Sequence, residues 1–345
     1  MIKTLTSWRA VFMVSIVLYH FRQQWWNEMT CLGVAFFFMV SGFLMAMHHG
    51  GERFTAAGYG RYMLGRARRF YPLHWVAMLV VIGLPLLMTR QPPRANPGTL
   101  LQHVLLLQSW WPVNVHDNVF VLNGQDWFLC DLLACYACFP LLARWFHPLR
   151  MRYKALIMAV AAAALAWAVR GGATPTVDFY YVFPPARLAD FAMGMTLWHL
   201  YQMIAHSKFT PGKAMATVIE VAVVMLIAEV VMINKLTTLF APWSNVLLWW
   251  IPAATLILVC ALLNGNEGLV GRALLWRPLQ WLGAISFEMY VLQYVAAQSY
   301  NYLMAPVLAH FGFIHAYDYY LWALFPILIP LAWFAHRLIT RRSRS

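Results

Sequence analysis

Long apolar runs interrupted by short polar segments set the layout of this chain. Stretches long enough to cross a bilayer fall at 5–21, 31–48, 70–89, 125–146, 154–170, 184–204, 214–233, 243–263, 279–300 and 319–337. They number about ten, each near the roughly 20 residues that a helix needs to span hydrocarbon. A further stretch, 100–111, is only about a dozen residues long and suits a short interfacial or re-entrant helix. The pattern predicts an all-α, polytopic integral membrane helical bundle of about ten transmembrane helices. Both termini are expected on the cytoplasmic side.

Composition agrees with the pattern. The 345 residues are 62% hydrophobic and 11% charged, against about 25% charged in soluble domains, which excludes an ordinary soluble fold. A net charge of +13 would suit nucleic acid if the cations shared one soluble face. Here they fall in short runs between apolar stretches, so no nucleic-acid partner is expected and the bilayer is. With a cytoplasmic N-terminus, Arg53, Arg61, Arg66, Arg68 and Arg69, then Arg144, Arg150, Arg152 and Lys154, and finally Arg337, Arg341, Arg342 and Arg344, lie inside. Arg22, Arg90, Arg94, Arg170 and Lys235 remain outside, and Lys208 falls inside. Counting 100–111 as a crossing would put the Arg144–Lys154 cluster outside, against the positive-inside rule.

Trp25, Trp26, Trp110, Trp111, Trp249 and Trp250 near span ends suit aromatic belts. Cys135 and Cys138 form a CxxC on an apolar helix, where they read as small buried hydrophobes and not as a redox pair. The first apolar run lacks a small-residue cleavage site and is expected to stay as a span. No repeat or linker to an appended soluble domain is visible, so residues 1–345 read as one membrane-embedded domain.

Polar residues inside apolar spans are costly and usually face a bundle interior, a cavity or a substrate path. Arg9 and His20 project from one face of the first span, about 16 Å apart along its axis. They read either as an anchor and an interfacial ring, or as a line of functional groups. Arg66 and Arg69, one turn apart, suit either positive-inside anchoring or a multivalent phosphate. Asp126 and Asp131 open the fourth span, and Asp131 is at a depth compatible with His20; a carboxylate there would fix the histidine tautomer and raise its basicity. A structural pair with an arginine is the other reading. Arg187 and Asp190 stand at i, i+3 and are expected to neutralise each other, leaving Arg187 either structural or a binder of anionic or hydroxyl-rich ligands. Ser41-Gly42 has no adjacent base and reads first as a close helix approach.

The segment 90–124, with Pro92, Pro93, Pro97, Pro112, His103, His116 and Asp117, would shape an external acceptor site or serve as a lid without chemistry. Glu220, Glu229 and Glu288 keep a proton-relay transporter open as an alternative. P-loop, GxGxxG, HExxH and GxSxG motifs are missing.

Six of these stretches, in order, resemble the membrane acyltransferase-3 family of O-acyltransferases that modify bacterial surface polysaccharides. SWRAVFMVSIVLYHF is similar to the opening motif at Arg9 and His20, and GVAFFFMVSGFLM to the second at Gly33, Phe37, Ser41 and Gly42. GRARRFYPLHW matches Arg-x-x-Arg followed by Tyr-Pro at Arg66, Arg69, Tyr71 and Pro72. WFLCDLLACYACFPLL resembles the tryptophan, acidic and proline block at Trp127, Asp131 and Pro140. ARLADFAMGM and LGAISFEMYVLQY resemble the Arg/Phe-x-x-Gly and Gly-x-x-Ser segments. Asp131 stands where the family usually has glutamate, and Gln293 where many members have histidine.

The resemblance implies a single acyltransferase domain over 1–345, multi-pass in the bacterial cytoplasmic (inner) membrane, transferring groups other than amino-acyl groups. It implies acetyl-CoA or another acyl-CoA as co-substrate, with no permanently bound cofactor and no metal. The acceptor would be an extracytoplasmic carbohydrate hydroxyl, on an exopolysaccharide, an O-antigen or a lipid-linked oligosaccharide, with polysaccharide-assembly proteins as candidate partners. His20 and Asp131 take the catalytic positions, Arg9, Arg66 and Arg69 those for the donor phosphates, and Arg187, Ser41 and Trp127 those for substrate. Transport of a lipid-linked sugar, or acylation of a lipid or small metabolite, are the alternatives.

Overall fold

The computed structural model describes residues 2–21, 24–90, 95–111, 115–170, 174–207, 211–237, 239–240, 243, 245–313 and 320–342. The readings on Pro92, Pro93, Pro112, Arg22, Arg94, Lys208 and Arg344 lie outside them. Among the described residues the secondary structure is helical throughout, with no strand. Among the described residues six helices are long and apolar enough to cross a membrane: Asn27–His49, Ala56–Thr89, Gly124–Trp145, Met151–Val169, Lys213–Leu236 and Ala323–Thr340. Large apolar side chains such as Leu79, Leu87, Val160, Trp167 and Val218 point outward from them. Lipid, not water, accommodates such a surface, because the helix satisfies its own backbone polar groups.

The chain divides into two compact units, Met1–Gly60 with Asp131–Ala284, and Arg61–Cys130 with Ile285–Ser345. The first contains α1 (Lys3–His20), α2 (Asn27–His49), most of α5 (Trp127–Trp145), α6 (Met151–Val169), α7 (Pro184–Ala205), α8 (Lys213–Leu236), α9 (Trp250–Leu262) and α10 (Arg277–Ala284). The second contains most of α3 (Ala56–Thr89), α4 (Pro97–Val104), α11 (Ser286–Ser299) and α12 (Tyr320–Arg342).

The core of the first unit gathers Phe12 of α1, Phe36, Met39 and Phe43 of α2, Leu197 of α7, Val223 and Ile227 of α8, and Ala253, Leu256 and Ile257 of α9. There α2 crosses α7 at very short range. A Cβ on Gly42 would overlap the Phe191 carbonyl oxygen, and one on Gly194 the Met39 carbonyl oxygen, so the two backbones meet through paired glycines. This is the close approach expected of Ser41-Gly42.

Three apolar stretches take a different form from the one that hydropathy suggests. The third lies on the C-terminal part of a helix that begins at Ala56, because the polar turns carrying Arg61, Arg66 and Arg69 remain helical though too polar to register as apolar. The eighth reduces to a 13-residue helix, Trp250–Leu262, preceded by turns. The ninth breaks at Ile285 (φ −95°, ψ 7°) into α10 and α11, and the division between the two units falls at that break. The short element expected over 100–111 is α4 followed by a 3-10 turn at Gln108–Trp110. Asn96 caps it, accepting the Thr99 N–H at 2.9 Å, and Pro97 opens it, so it starts earlier than apolarity indicates. Leu106, with φ 54°, turns the chain sharply beyond it.

Candidate functional site

In the first unit the chemistry concentrates at the start of α7. Pro184 occupies the opening turn, where its missing N–H costs nothing, and the next turn carries Arg187 and Asp190. Arg187 is 1% exposed; its Nη1 lies 2.9 Å from Asp190 Oδ2. The other carboxylate oxygen, Oδ1, accepts from Trp250 Nε1 at 2.5 Å, which ties α7 to α9. The Phe38 and Tyr181 rings lie 5.9 and 5.5 Å from the guanidinium carbon. The i, i+3 neutralisation expected of this pair is therefore present. It is incomplete as hydrogen bonding: Arg187 Nε and Nη2 are buried with no partner among the described residues. Two charge-assisted donors in a dry, aromatic-walled setting are costly to leave unmade, and they suit an anion or a developing oxyanion.

Asp131 is fully buried on α5, one turn before Cys135. The Cys135 sulfur senses the charges of Asp131, Asp190 and Arg187, so these groups share one electrostatic neighbourhood. All five cysteines are free, Cys135 being buried and Cys138 half-buried. His20 ends α1, half-buried, its ring 5.7 Å from that of Tyr19. Arg9 is half-buried on the same helix. Ser41 Oγ donates to the Phe37 carbonyl at 2.7 Å, so its proton is already committed. A cavity of 970 Å³ in this unit is lined by Arg53, Arg144, His147 and Tyr59. Burial, followed by the charges of Lys154 and His199, pushes the His147 ring below its ordinary pKa.

In the second unit Arg66 is half-buried with its guanidinium 5.1 Å from the Tyr62 ring, and Arg69 is exposed, 5.3 Å from the Phe287 ring. Trp127 is buried, its carbonyl 3.5 Å from Ser109 Oγ. Arg187, Ser41, Arg9, His20 and Asp131 thus belong to the first unit, and Arg66, Arg69 and Trp127 to the second.

Sequence reasoning passed over the most elaborate polar network of the second unit. His74, midway along α3, contacts Asp126 at 2.8 Å through Nδ1, and both are fully buried. Its Nε2 donates to the His103 carbonyl at 2.9 Å, and Asp126 Oδ1 accepts from Asn123 Nδ2 at 2.9 Å. His103 in turn donates through Nε2 to the Asn118 carbonyl at 2.8 Å. Burial pushes His103 below its ordinary pKa, outweighing the Asn118 bond and the Asp126 charge, so the ring is neutral at neutral pH. The sequence carries a signal for His74: an ionisable residue in mid-span calls for a partner. Asp126 precedes its helix in a 3-10 turn and is spoken for by His74, which leaves Asp131 alone as the carboxylate inside α5.

Of the other acids read as intramembrane, Glu229 is exposed on α8, and Glu220 and Glu288 are each held by a partner within their own unit. Glu220 accepts the Gly268 N–H at 2.9 Å in the first unit, and Glu288 lies 3.0 Å from His336 Nδ1 in the second.

With six long apolar helices among its described residues, the chain has the architecture of a multi-pass membrane protein. It matches the model of the acyltransferase-3 family, described as an acyltransferase domain, over residues 2–336, and belongs to that family. No curated protein and no solved structure matches the chain.

Proposed function

We propose that this membrane acyltransferase moves an acetyl group from cytoplasmic acetyl-CoA to a hydroxyl of an extracytoplasmic carbohydrate, in the bacterial inner membrane. About ten crossings with both termini inside complete the reading. The observation that carries acyl transfer is the family match across nearly the whole chain.

The residue roles follow from charge and chemistry. Arg66 and Arg69, with Arg9 as a third cation, bind the donor phosphates through charge-assisted forks. His20, oriented by Asp131, takes the proton of the acceptor hydroxyl as its oxygen attacks the thioester carbonyl; the carbon–sulfur bond then breaks and the proton passes to the coenzyme A thiolate. Of the two donor types for the oxyanion, Ser41 has its proton on Phe37 whereas Arg187 keeps two N–H groups unpaired, which favours Arg187. Ser41 and Trp127 line the path of the substrate. A covalent variant, with acetyl carried briefly on His20, differs in one observable: labelled protein would accumulate with donor alone.

Proteoliposomes loaded with radiolabelled acetyl-CoA test the reading. Label should appear on a glycan supplied outside, and His20→Ala should abolish it. Retention of all label inside with every glycan and glycoside offered would overturn the proposed direction and acceptor.

A further inference from the structure

The segment from Pro97 to Asp126 buries more polar groups than it pairs. His103, Gln108 and Asn123 are 0% exposed and Gln125 is 3% exposed. Some of their atoms are accounted for: His74 Nδ1 and Asp126 Oδ2 face each other at 2.8 Å, the His103 carbonyl and Asn123 Nδ2 hold the far sides of that pair, and the Gln125 carbonyl accepts the Tyr290 hydroxyl at 2.7 Å. Apart from the two facing atoms of that pair, what stays buried and open in this segment among the described residues is His103 Nδ1, both ends of the Gln108 and Gln125 amides, and Asn123 Oδ1.

These open groups belong to segments tied to the same His74–Asp126 pair. Asn123 precedes and Gln125 lies within the turn that supplies Asp126, and the residue after Gln108, Ser109, reaches the carbonyl of Trp127. The His103 ring senses the charges of both Asp126 and His74. Because Nε2 donates to the Asn118 carbonyl, Nδ1 carries a lone pair and accepts.

The set therefore offers four acceptors (Nδ1, two amide oxygens of Gln and that of Asn123) and two amide donors, with no charge of its own. A phosphate would meet more acceptors than donors. A metal cation would need Asp126, whose oxygens are already on His74 and Asn123. A hydroxyl group, which donates and accepts at once, matches the mixture.

We propose that His103, Gln108, Asn123 and Gln125 form a hydroxyl-recognition site for a polyhydroxylated ligand, the carbohydrate acceptor. This assignment rests on the acyl-transfer reading for its place in the reaction, not for the binding itself. His103 Nδ1 accepts from a ligand hydroxyl, the Gln amides bridge neighbouring hydroxyls, and His74 with Asp126 positions the loop that carries them.

The test is equilibrium binding of radiolabelled methyl α-glucoside, methyl α-galactoside and methyl α-mannoside to the full chain in lipid nanodiscs, with acetyl-CoA binding and turnover measured on the same samples. His103→Gln keeps a donor for the Asn118 carbonyl and removes the Nδ1 acceptor; Gln108→Leu removes one amide at similar volume. At least one glycoside is expected to bind, and each variant to weaken it about tenfold, as one lost hydrogen bond does. Acetyl-CoA affinity is expected to stay within about twofold. If His103→Gln does not fold, Gln108→Leu provides the reading. Wild-type protein that binds none of the glycosides, or variants that bind them as wild type does, would overturn the site. Glycoside binding lost in the variants of a protein that never consumes acetyl-CoA would instead leave the site standing and remove the donor chemistry.

Discussion

The polar cluster around Arg187 in the first unit carries spare charged donors, whereas the one around His103 in the second offers a neutral, mixed set. Around Arg187 the surplus is of donors: two N–H groups beyond those that Asp190 neutralises, between aromatic rings. Around His103 the surplus is of amides and a ring nitrogen, beside the buried His74–Asp126 pair. Both are too buried to be stabilising in themselves, since a buried polar group without a partner costs about 1–3 kcal/mol. The difference teaches what each can hold. Surplus cationic donors suit negative charge, including one that exists only in a transition state; a balanced neutral set suits hydroxyls.

The largest expected effect comes from unbalancing the charged region. Asp190→Ala leaves Arg187 buried without a counter-charge and frees the Trp250 indole, a loss of about 3–5 kcal/mol that should appear as a collapse of the thermal melt in detergent. Replacing Arg187 and Asp190 together with Met and Leu should recover much of that stability, which separates charge imbalance from lost packing. Arg187→Met alone is expected to lower acetyl transfer by about 10²–10³, the cost of one oxyanion donor, with acetyl-CoA affinity little changed. An equal fall in donor affinity would reassign Arg187 to donor binding. Next comes the α2–α7 crossing. Gly194→Ala places a Cβ against the Met39 backbone and should cost about 1–3 kcal/mol by overpacking, read as a lower melting temperature.

The smallest effect concerns the neutral region. His103 is held neutral by burial, so its folded pKa lies below its unfolded one and the unfolded chain binds the extra proton. Its contribution is complete above about pH 6.5 and lost as pH falls through the folded value. Asp126 and His74 are the titratable groups facing it. Melting temperature should therefore drop between about pH 7 and 5 in wild type, and less steeply in His103→Gln. Identical slopes would show that His103 is not the group held neutral.

Helical architecture was legible because hydropathy and helix length are one-dimensional signals. So was the Arg187–Asp190 pair, whose partners lie one turn apart. The glycine contact at Gly42 was legible as a small-residue stripe, though its counterpart Gly194 was not singled out. What escaped was made of partners distant in sequence: His74 meets Asp126 and the His103 carbonyl only because a sharp turn at Leu106 folds a loop back on α3. Hydropathy also missed the break at Ile285, since an apolar run carries no mark of where its backbone leaves the helix.

The central claim is that His20 serves as the base in transfer from acyl-CoA, and the most direct test is acetyl-CoA consumption by purified, lipid-reconstituted protein, wild type against His20→Ala. The account predicts turnover in wild type when a glycan acceptor is present, and at least a 100-fold lower rate in His20→Ala, as about 10²–10⁴ is expected for a lost general base, with acetyl-CoA still bound. Wild-type turnover unchanged by the substitution, or no consumption of acetyl-CoA with any acceptor, would contradict it.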